Sequence, residues 1–262
     1  MAREAGGEFF LRMEDIDRGR CRPEWEDLIV EDLTWLGLTW DGPILRQSER
    51  IDLYRDALKE LAGLGLLFEC VCKRKDILEA ALAPHEGEPL MGPDGIVYPG
   101  TCRSRKATLV SMNDFRNALR LNMKEATASL GESASLRFCE LGRGPRGENG
   151  GIEISEEFLI RNVGDVVLAR RDIGTSYHLS VVVDDADQEI SHVVRGQDLF
   201  DATSIHVLLQ NVLGLHTPMY YHHRLIRDDE GKRLAKRTDA LALRKLREDG
   251  VTPAEVRSMV GL

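Results

Sequence analysis

The chain has 262 residues, of which 42% are hydrophobic and 30% charged, a composition typical of a soluble globular enzyme. It contains no apolar run of the roughly 20 residues that span a bilayer and no secretory signal at its start, so we predict a cytoplasmic protein without a membrane partner. The net charge of −9 argues against non-specific coating of nucleic acid, but residues 222–247 contain nine Lys/Arg and four Asp/Glu and offer a local basic face.

The first part of the chain predicts a strand and two helices. Glu8–Met13 is typical of a buried strand. Pro23 suits the first turn of a helix that ends at Gly37, and a second amphipathic helix follows Ser48 and ends at Gly63 or Gly65. The predicted apolar faces contain Trp25, Leu28, Ile29, Leu33 and Leu36 in the first helix, and Ile51, Tyr54, Leu58 and Leu61 in the second.

The remaining chain predicts a loop-rich insert followed by alternating strands and helices. Residues 70–102 are rich in Pro, Gly and Glu, and residues 140–155 are typical of a flexible surface loop. Strands are predicted over 163–169, 179–183 and 190–194, and helices over 202–213, 239–246 and 253–260, the last starting at Pro253. This order predicts an α/β fold with a largely buried sheet and an inserted module.

A cysteine cluster indicates a metal site in the inserted module. Cys70 and Cys72 are followed by Cys102, so three thiolates are available for a tetrahedral zinc ion. The chemistry leaves His85 and Tyr98 as candidates for the fourth ligand. Buried free thiols are the alternative interpretation.

Three further groups of residues favour binding of charged ligands. Glu14, Asp15 and Asp17 directly follow the first strand, where acids can receive an ammonium group or a ribose hydroxyl. Gly231–Arg237 is a glycine-preceded loop with four cations, which suits a polyphosphate. Arg195 follows an apolar run and can pair with a carboxylate, and Tyr177 can close a small pocket.

In this order, the four groups resemble the catalytic core of class I glutamyl-tRNA synthetases. Leu11–Asp17 resembles the end of that family's second strand, and Gly164–Leu168 through Arg195–Gly196 resembles the second half of its nucleotide-binding fold. Arg233–Arg237 resembles the K-M-S-K-S loop, with Ala235 where a hydroxyl residue is usual. The resemblance implies a Rossmann-like parallel sheet with an inserted zinc-binding module and a C-terminal helical segment.

Within the family, the chain is most similar to the shortened glutamyl-queuosine-forming branch, which lacks an anticodon-binding domain. That branch activates glutamate with ATP and attaches it to queuosine in the anticodon loop of tRNA(Asp). Its C-x-C…Y-x-x-x-C pattern makes Tyr98, rather than His85, the fourth zinc ligand. The resemblance further implies that Glu14, Tyr177 and Arg195 bind glutamate. It also implies that Lys236 contacts ATP and stabilises the transition state, and that ATP binds together with magnesium.

The resemblance also divides the chain by function and implies a monomer. The predicted segments are 1–69 and 156–224 for the two parts of the catalytic domain, 70–155 for the zinc-binding module, and 225–262 for the K-M-S-K-S-like loop and terminal helices. A truncated glutamyl-tRNA synthetase fragment and a non-catalytic tRNA-binding remnant are the alternatives.

The family's first strand, H-I-G-H motif and first helix have no counterpart in the chain. His222-His223 lacks the glycine and the strand–loop context of that motif. A mis-assigned start codon and a true truncation are the two hypotheses, and an in-frame stop codon just upstream of Met1 would exclude the first.

Overall fold

A computed structural model describes residues 1–19, 21–82, 88–108, 115–131, 135–227 and 243–261. The chain forms two compact units, one comprising Met1–Glu49 with Leu225–Leu262 and the other comprising Arg50–Arg224. The functional segments predicted from the sequence stay a prediction, since compactness does not test function. Among the described helices, none is both long and apolar enough to cross a membrane.

The first unit is built on a short parallel strand pair and three helices. Strands β1 (Arg12–Met13) and β2 (Leu45–Arg46) pair in parallel on either side of helix α1 (Pro23–Trp35), and helices α8 (Leu243–Glu248) and α9 (Pro253–Met259) follow much later in the chain. Pro23 and Pro253 occupy first turns, as predicted. Thr252 and Glu255 form a reciprocal capping box that fixes the start of α9.

Two features of this unit differ from the prediction. The strand predicted over 8–13 is only Arg12–Met13. The backbone of Phe9 is instead bound to Asp41: its N–H donates to the Asp41 carboxylate and its carbonyl accepts the Asp41 N–H. Helix α1 has the predicted bounds and ends before Gly37, which has a φ of 74°. Its apolar face is not buried, since Trp25 and Ile29 are 53% and 44% exposed.

The second unit contains two larger sheets and a small hairpin. Strands β3 (Leu67–Cys70), β6 (Ala118–Leu121) and β9 (Val167–Ala169) form an antiparallel sheet in the order β3-β6-β9. The second sheet has the order β10-β11-β7-β8. Its strands are β7 (Arg137–Glu140), β8 (Gly150–Glu153), β10 (His192–Gly196) and β11 (Met219–His223). Strands β10, β11 and β7 are parallel, whereas β8 is antiparallel to β7, so the predicted parallel sheet is replaced by mixed sheets.

Six helices complete this unit and supply most of its core. They are α2 (Ile51–Gly63), α3 (Arg74–Leu82), α4 (Met123–Ser129), the single turn α5 (Glu156–Phe158) with its π-helical extension (Leu159–Val163), α6 (Tyr177–Asp187) and α7 (Thr203–Val212). The small hairpin β4 (Met91–Gly92) and β5 (Gly95–Ile96) lies between α3 and β6. Helix α2 buries Tyr54, Leu58 and Leu61, which are three of the four predicted core positions.

Several predictions for this unit need correction. The run predicted as a strand over 179–183 lies inside α6, whose start is capped by the Ser176 hydroxyl. A helix that is buried on almost all sides has no polar face, so its apolar run cannot be distinguished from a buried strand by periodicity. Of the strand predicted over 163–169, only Val167–Ala169 is extended, and the loop predicted over 140–155 contains strand β8.

Other predictions are confirmed. Strand β10 overlaps the run predicted over 190–194, and α7 lies within the helix predicted over 202–213. Helix α8 begins at Leu243, within the helix predicted over 239–246, whose first four residues lie outside the described part of the chain.

A buried carboxylate joins α2 to α6. Asp184 is fully buried, and its carboxylate accepts hydrogen bonds from the Tyr54 hydroxyl at 2.9 and 3.0 Å and from Arg50 Nε at 2.8 Å. Because a buried charge is costly unless it is paired, these donors fix where the two helices pack against each other.

We expect Tyr54→Phe to destabilise the protein by about 1–3 kcal/mol, because Asp184 loses a buried donor while the core keeps its aromatic ring. Urea denaturation measures the change. The matched control is Tyr221→Phe, which removes the same atom from a partly exposed tyrosine and should change the free energy of unfolding by less than about 0.5 kcal/mol. Equal effects of the two variants would contradict a special role for the Tyr54–Asp184 contact.

Candidate functional site

The predicted zinc ligands converge in the structure. Cys70 ends β3, Cys72 follows it, and Tyr98 and Cys102 lie in the loop after β5. The three Sγ atoms lie within 4.8 Å of one another. The Tyr98 hydroxyl lies 3.5 Å from Cys70 Sγ and 3.6 Å from Cys72 Sγ, and Cys72 Sγ lies 3.5 Å from Cys102 Sγ.

The three individual separations of 3.5–3.6 Å match the edges expected around one four-coordinate ion. Zinc–sulfur bonds of about 2.3 Å and zinc–oxygen bonds of about 2.0–2.2 Å give a tetrahedron with edges of about 3.5–3.8 Å. The Tyr98 oxygen accepts a hydrogen bond from the Cys102 N–H at 2.9 Å, which suits an oxygen that carries negative charge. His85, the alternative ligand, lies outside the described residues.

The surroundings of the cluster fix the tyrosine. The Arg120 guanidinium lies over the Tyr98 ring at 4.1 Å from its centroid, and the Phe68 ring lies 5.9 Å away. Arg103, next to Cys102, donates to the buried Asp165 carboxylate at 2.6 Å. The loop that contains Tyr98 and Cys102 is therefore held in place at two points, through the contacts of Tyr98 with Arg120 and Phe68 and through the ion pair of Arg103 with Asp165.

The electrostatics of the cluster favour a cation. Although burial alone would raise the pKa of the Cys102 thiol, contacts from Tyr98, the Val71 backbone and the other thiols lower it to about 7. Burial, the contact with Cys102 and the neighbouring thiols raise the pKa of Cys72 to about 11. Burial and the three thiols raise the pKa of Tyr98 well above its ordinary range. A bound dication would favour the ionised form of the ligands.

Arg195 and Tyr177, predicted from separate parts of the sequence, are brought together around His206. Arg195 lies on β10, and its Nη1 is 3.0 Å from His206 Nδ1. The Tyr177 ring, at the start of α6, packs edge-on against the His206 ring with centroids 5.7 Å apart. Both residues therefore contact the same histidine, and their predicted role in binding glutamate stays a prediction.

The guanidinium of Arg195 is held on several sides. Its Nε donates to His222 Nε2 at 3.1 Å, and its Nη2 donates to Thr203 Oγ1 at 2.6 Å and to the Leu199 carbonyl at 3.3 Å. The Tyr220 ring lies below it, with 5.1 Å from Cζ to the ring centroid. A half-buried cation in this setting is suited to recognising a carboxylate.

Sequence reasoning missed the polar residues behind Arg195. His222 Nδ1 lies 2.5 Å from Glu140 Oε2, and His206 Nε2 lies 3.1 Å from His178 Nδ1. All four of these side chains are buried. The available signal was weak, because His206 sits within an apolar helix and Glu140 ends a short strand.

Burial favours the neutral form of two of these histidines. It lowers the pKa of His206 well below the ordinary value, and the charge of Arg195 and the neighbouring imidazoles add to this effect. Burial also lowers the pKa of His222, assisted by Arg195 and opposed by Glu140. Neutral imidazoles can accept hydrogen bonds from Arg195, whereas protonated ones cannot.

The acidic group after β1 lies in the first unit. Glu14 has an exposed side chain, whereas the Asp15 carboxylate accepts hydrogen bonds from the Ser48 N–H at 2.9 Å and the Ser48 hydroxyl at 2.6 Å. Asp15 therefore joins two loops. The predicted role of Glu14 in binding glutamate stays a prediction. Lys236 and the whole cationic loop Gly231–Arg237 lie outside the described residues.

A cavity of about 810 Å³ lies at the β7–β8 hairpin and contains none of the predicted site residues. Its wall includes Phe138, Phe158 and Phe200, with Arg146 paired to Glu148 and Asp201 at the edge. Phe200 also packs edge-on against His222, with ring centroids 5.1 Å apart, so this cavity borders the polar residues behind Arg195.

Comparison with known proteins gives consistent matches over the whole chain. The family model described as tRNA synthetases class I (E and Q), catalytic domain, matches residues 1–262. A relative from Rhodobacter capsulatus named glutamyl-Q tRNA(Asp) synthetase is 57% identical over 262 residues, covering 100% of this chain and 91% of the relative. A relative of the same name from Symbiobacterium thermophilum is 38% identical, covering 97% of this chain and 76% of the relative.

Solved structures share the fold. The glutamate-tRNA synthetase from Elizabethkingia anophelis superposes with a TM-score of 0.65 at 24% identity, a likeness of fold alone. A glutamate tRNA ligase from Elizabethkingia meningosepticum in complex with its amino acid also gives 0.65, at 26% identity. Each match covers 88% of this chain, which spans 46% of the solved chain.

We expect acid to destabilise the protein through His206. Its folded pKa lies below the unfolded value of about 6.5, so the unfolded state gains protons first as the pH falls. The contribution of His206 to stability is complete above a pH of about 6.5 and is lost as the pH falls below it. The free energy of unfolding should therefore fall by roughly 1 kcal/mol between pH 8 and pH 6. Urea denaturation at both pH values should show a smaller pH dependence for His206→Gln than for wild type. The control His192→Gln removes an exposed histidine, and a similar reduction there would contradict this assignment.

Proposed function

Because the chain belongs to the family of class I tRNA synthetases (E and Q), we propose that it activates glutamate with ATP and transfers it to queuosine in tRNA(Asp). The resemblance predicted from the sequence is confirmed at the level of family and ligase-type enzyme. The single observation that carries the substrate proposal is the 57% identity, over the whole chain, to a relative named glutamyl-Q tRNA(Asp) synthetase.

We assign glutamate binding to Arg195, Tyr177 and Glu14. Arg195 supplies a cation for a substrate carboxylate, and Tyr177 packs beside it against His206. The exposed carboxylate of Glu14 suits the substrate ammonium group. The contacts from Arg195 to His222, His206, Thr203 and Leu199 use four of its five N–H groups, which favours a single hydrogen bond to the substrate over a bidentate pair.

The activation step needs positioning and charge neutralisation rather than a nucleophile on the enzyme. A carboxylate oxygen of glutamate attacks the α-phosphorus of ATP, and the bond to pyrophosphate breaks. Lys236 neutralises the charge that develops on the phosphates, and magnesium accompanies the ATP. In the second step, a hydroxyl of the nucleoside attacks the activated carbonyl carbon and AMP leaves.

We propose that the polynucleotide partner is tRNA(Asp) carrying queuosine. The basic segment 222–247 offers positive charge for its phosphates within a chain of net charge −9. Because the substrate is a tRNA, we propose that the reaction takes place in the cytoplasm. We also propose that the protein acts as a monomer.

We propose that zinc has a structural role, with Cys70, Cys72, Tyr98 and Cys102 as ligands. The support is the convergence of their donor atoms and the lowered pKa of Cys102. When bound, the ion would join the end of β3 to the loop after β5 and so close the inserted module.

We expect about one zinc per chain after gentle purification, and Cys72→Ser should remove most of it, because a closed four-ligand site tolerates loss of a thiolate poorly. Elemental analysis measures the metal, and thermal unfolding reports its structural effect. The matched control is Cys139→Ser, an exposed cysteine outside the cluster, which should keep its zinc. Wild-type protein with far less than one zinc per chain would contradict the proposal. Tyr98→Phe should bind zinc more weakly than wild type.

We expect glutamate-dependent ATP–pyrophosphate exchange, and transfer of glutamate to tRNA(Asp) only when that tRNA carries queuosine. Arg195→Lys should raise the KM for glutamate about ten- to a hundredfold, because lysine cannot reproduce the guanidinium contacts. The same tRNA(Asp) without queuosine is the matched control. Absence of exchange would favour a non-catalytic remnant, and charging of unmodified tRNA(Glu) would favour a glutamyl-tRNA synthetase fragment.

A further inference from the structure

The hydrogen-bond directions around Arg195 are determined by its chemistry. A guanidinium only donates, and it stays protonated at any pH at which the protein is folded. Each imidazole nitrogen that faces Arg195 must therefore accept. This requirement fixes the tautomers of His222 and His206 from heavy-atom positions alone.

The first series of hydrogen bonds runs from Arg195 through His222 to Glu140. Since His222 Nε2 accepts from Arg195 Nε at 3.1 Å, the proton of neutral His222 sits on Nδ1 and is donated to Glu140 Oε2 at 2.5 Å. Glu140 Oε1 accepts the backbone N–H groups of His222 at 2.9 Å and Gly142 at 2.8 Å. The carboxylate is therefore held at three points and has no freedom to reorient.

The second series of hydrogen bonds runs from Arg195 through His206 and His178 to Asp94. Since His206 Nδ1 accepts from Arg195 Nη1, its proton sits on Nε2 and is donated to His178 Nδ1 at 3.1 Å. His178 then carries its own proton on Nε2, which lies 3.3 Å from Asp94 Oδ1. Asp94 is partly exposed, whereas Glu140 is fully buried. The hydrogen bonds that end at Glu140 therefore exert the stronger electrostatic effect on Arg195.

We propose that Glu140 and His222 are positioning residues for glutamate recognition, which set the orientation of the Arg195 guanidinium through one defined tautomer. Glu140 holds the His222 proton on Nδ1, so Nε2 accepts from Arg195 at 3.1 Å, with the Thr203 hydroxyl 3.4 Å from the same nitrogen. With Nε and Nη2 held in this way, the remaining Nη1 N–H has one fixed direction toward a ligand. The inference rests on the proposed role of Arg195 in binding glutamate.

A change of one atom at residue 140 tests the tautomer. In Glu140→Gln, the amide oxygen keeps the two backbone N–H groups, so its NH₂ group faces His222 Nδ1 and must donate to it. The His222 proton then moves to Nε2, where it opposes the Arg195 N–H. We expect the KM for glutamate to rise about tenfold or more, while the KM for ATP stays within about twofold of wild type. The control Glu153→Gln, an exposed acid in the same sheet, should change neither value.

Two substitutions of His222 separate positioning from structural support. His222→Gln places an amide oxygen, an acceptor, near the former Nε2 position and should keep the glutamate KM within about threefold of wild type, also in the Glu140→Gln background. His222→Asn keeps a donor to Glu140, but its shorter side chain does not reach Arg195, and it should raise the KM about tenfold or more. A merely structural role would give the two variants equal effects, and this result would overturn the proposal even if Glu140→Gln failed to fold.

Long-range ¹H–¹⁵N NMR of the histidine side chains reads the tautomer directly in the intact chain. Wild type should show His222 protonated on Nδ1, and Glu140→Gln should show it on Nε2. Wild-type His222 protonated on Nε2, or an unchanged glutamate KM in Glu140→Gln, would overturn the proposal. Failure of the proposed function has a different signature, namely a wild-type chain without glutamate-dependent exchange whose His222 tautomer is still as stated.

Discussion

The half-buried charge of Arg195 is the constraint on which the rest of the site depends. A guanidinium removed from water needs acceptors for its N–H groups and an opposite charge within reach. Strand β11 and helix α7 supply two neutral imidazoles, and β7 supplies the Glu140 carboxylate. The parallel pairing of β10, β11 and β7 brings Arg195, His222 and Glu140 to the same end of one sheet. The sheet order is therefore a requirement of the site as well as of the core.

In the cysteine cluster the charge removed from water is negative, and it too needs hydrogen-bond partners or an opposite charge nearby. Three thiols and a phenol gather in a largely buried position, and the contacts around Cys102 lower the pKa of its thiol to about 7, which favours its thiolate form. The guanidinium of Arg120 over the Tyr98 ring offsets part of that charge. The Arg195 site and the cysteine cluster both bring charged and polar groups into contact away from water, which restricts the backbone around them.

Helices with a capping residue or a clear apolar period were easier to predict from the sequence than segments whose type depends on burial or strand pairing. Helices α1, α2 and α9 have capping or periodicity signals within a few residues, and their predicted positions are confirmed. Helix α6 was misread as a strand, because Val181–Val183 favour strands locally and burial on almost every side removes the helical period. Strand β8 was missed for the opposite reason, since its glycines favour a loop and only pairing with β7 makes it extended.

The sequence by itself determined the family resemblance and the cysteine–tyrosine pattern of the candidate metal site, because these depend on residue types at short or ordered spacings. The joint role of Tyr177 and Arg195 follows from that resemblance and stays a prediction. Only the tertiary structure decided which buried groups face Arg195. Glu140 and His222 are 82 residues apart, and no local pattern links them. Their contact arises from strand pairing, and the direction of each hydrogen bond then follows from the one group in the network that can only donate.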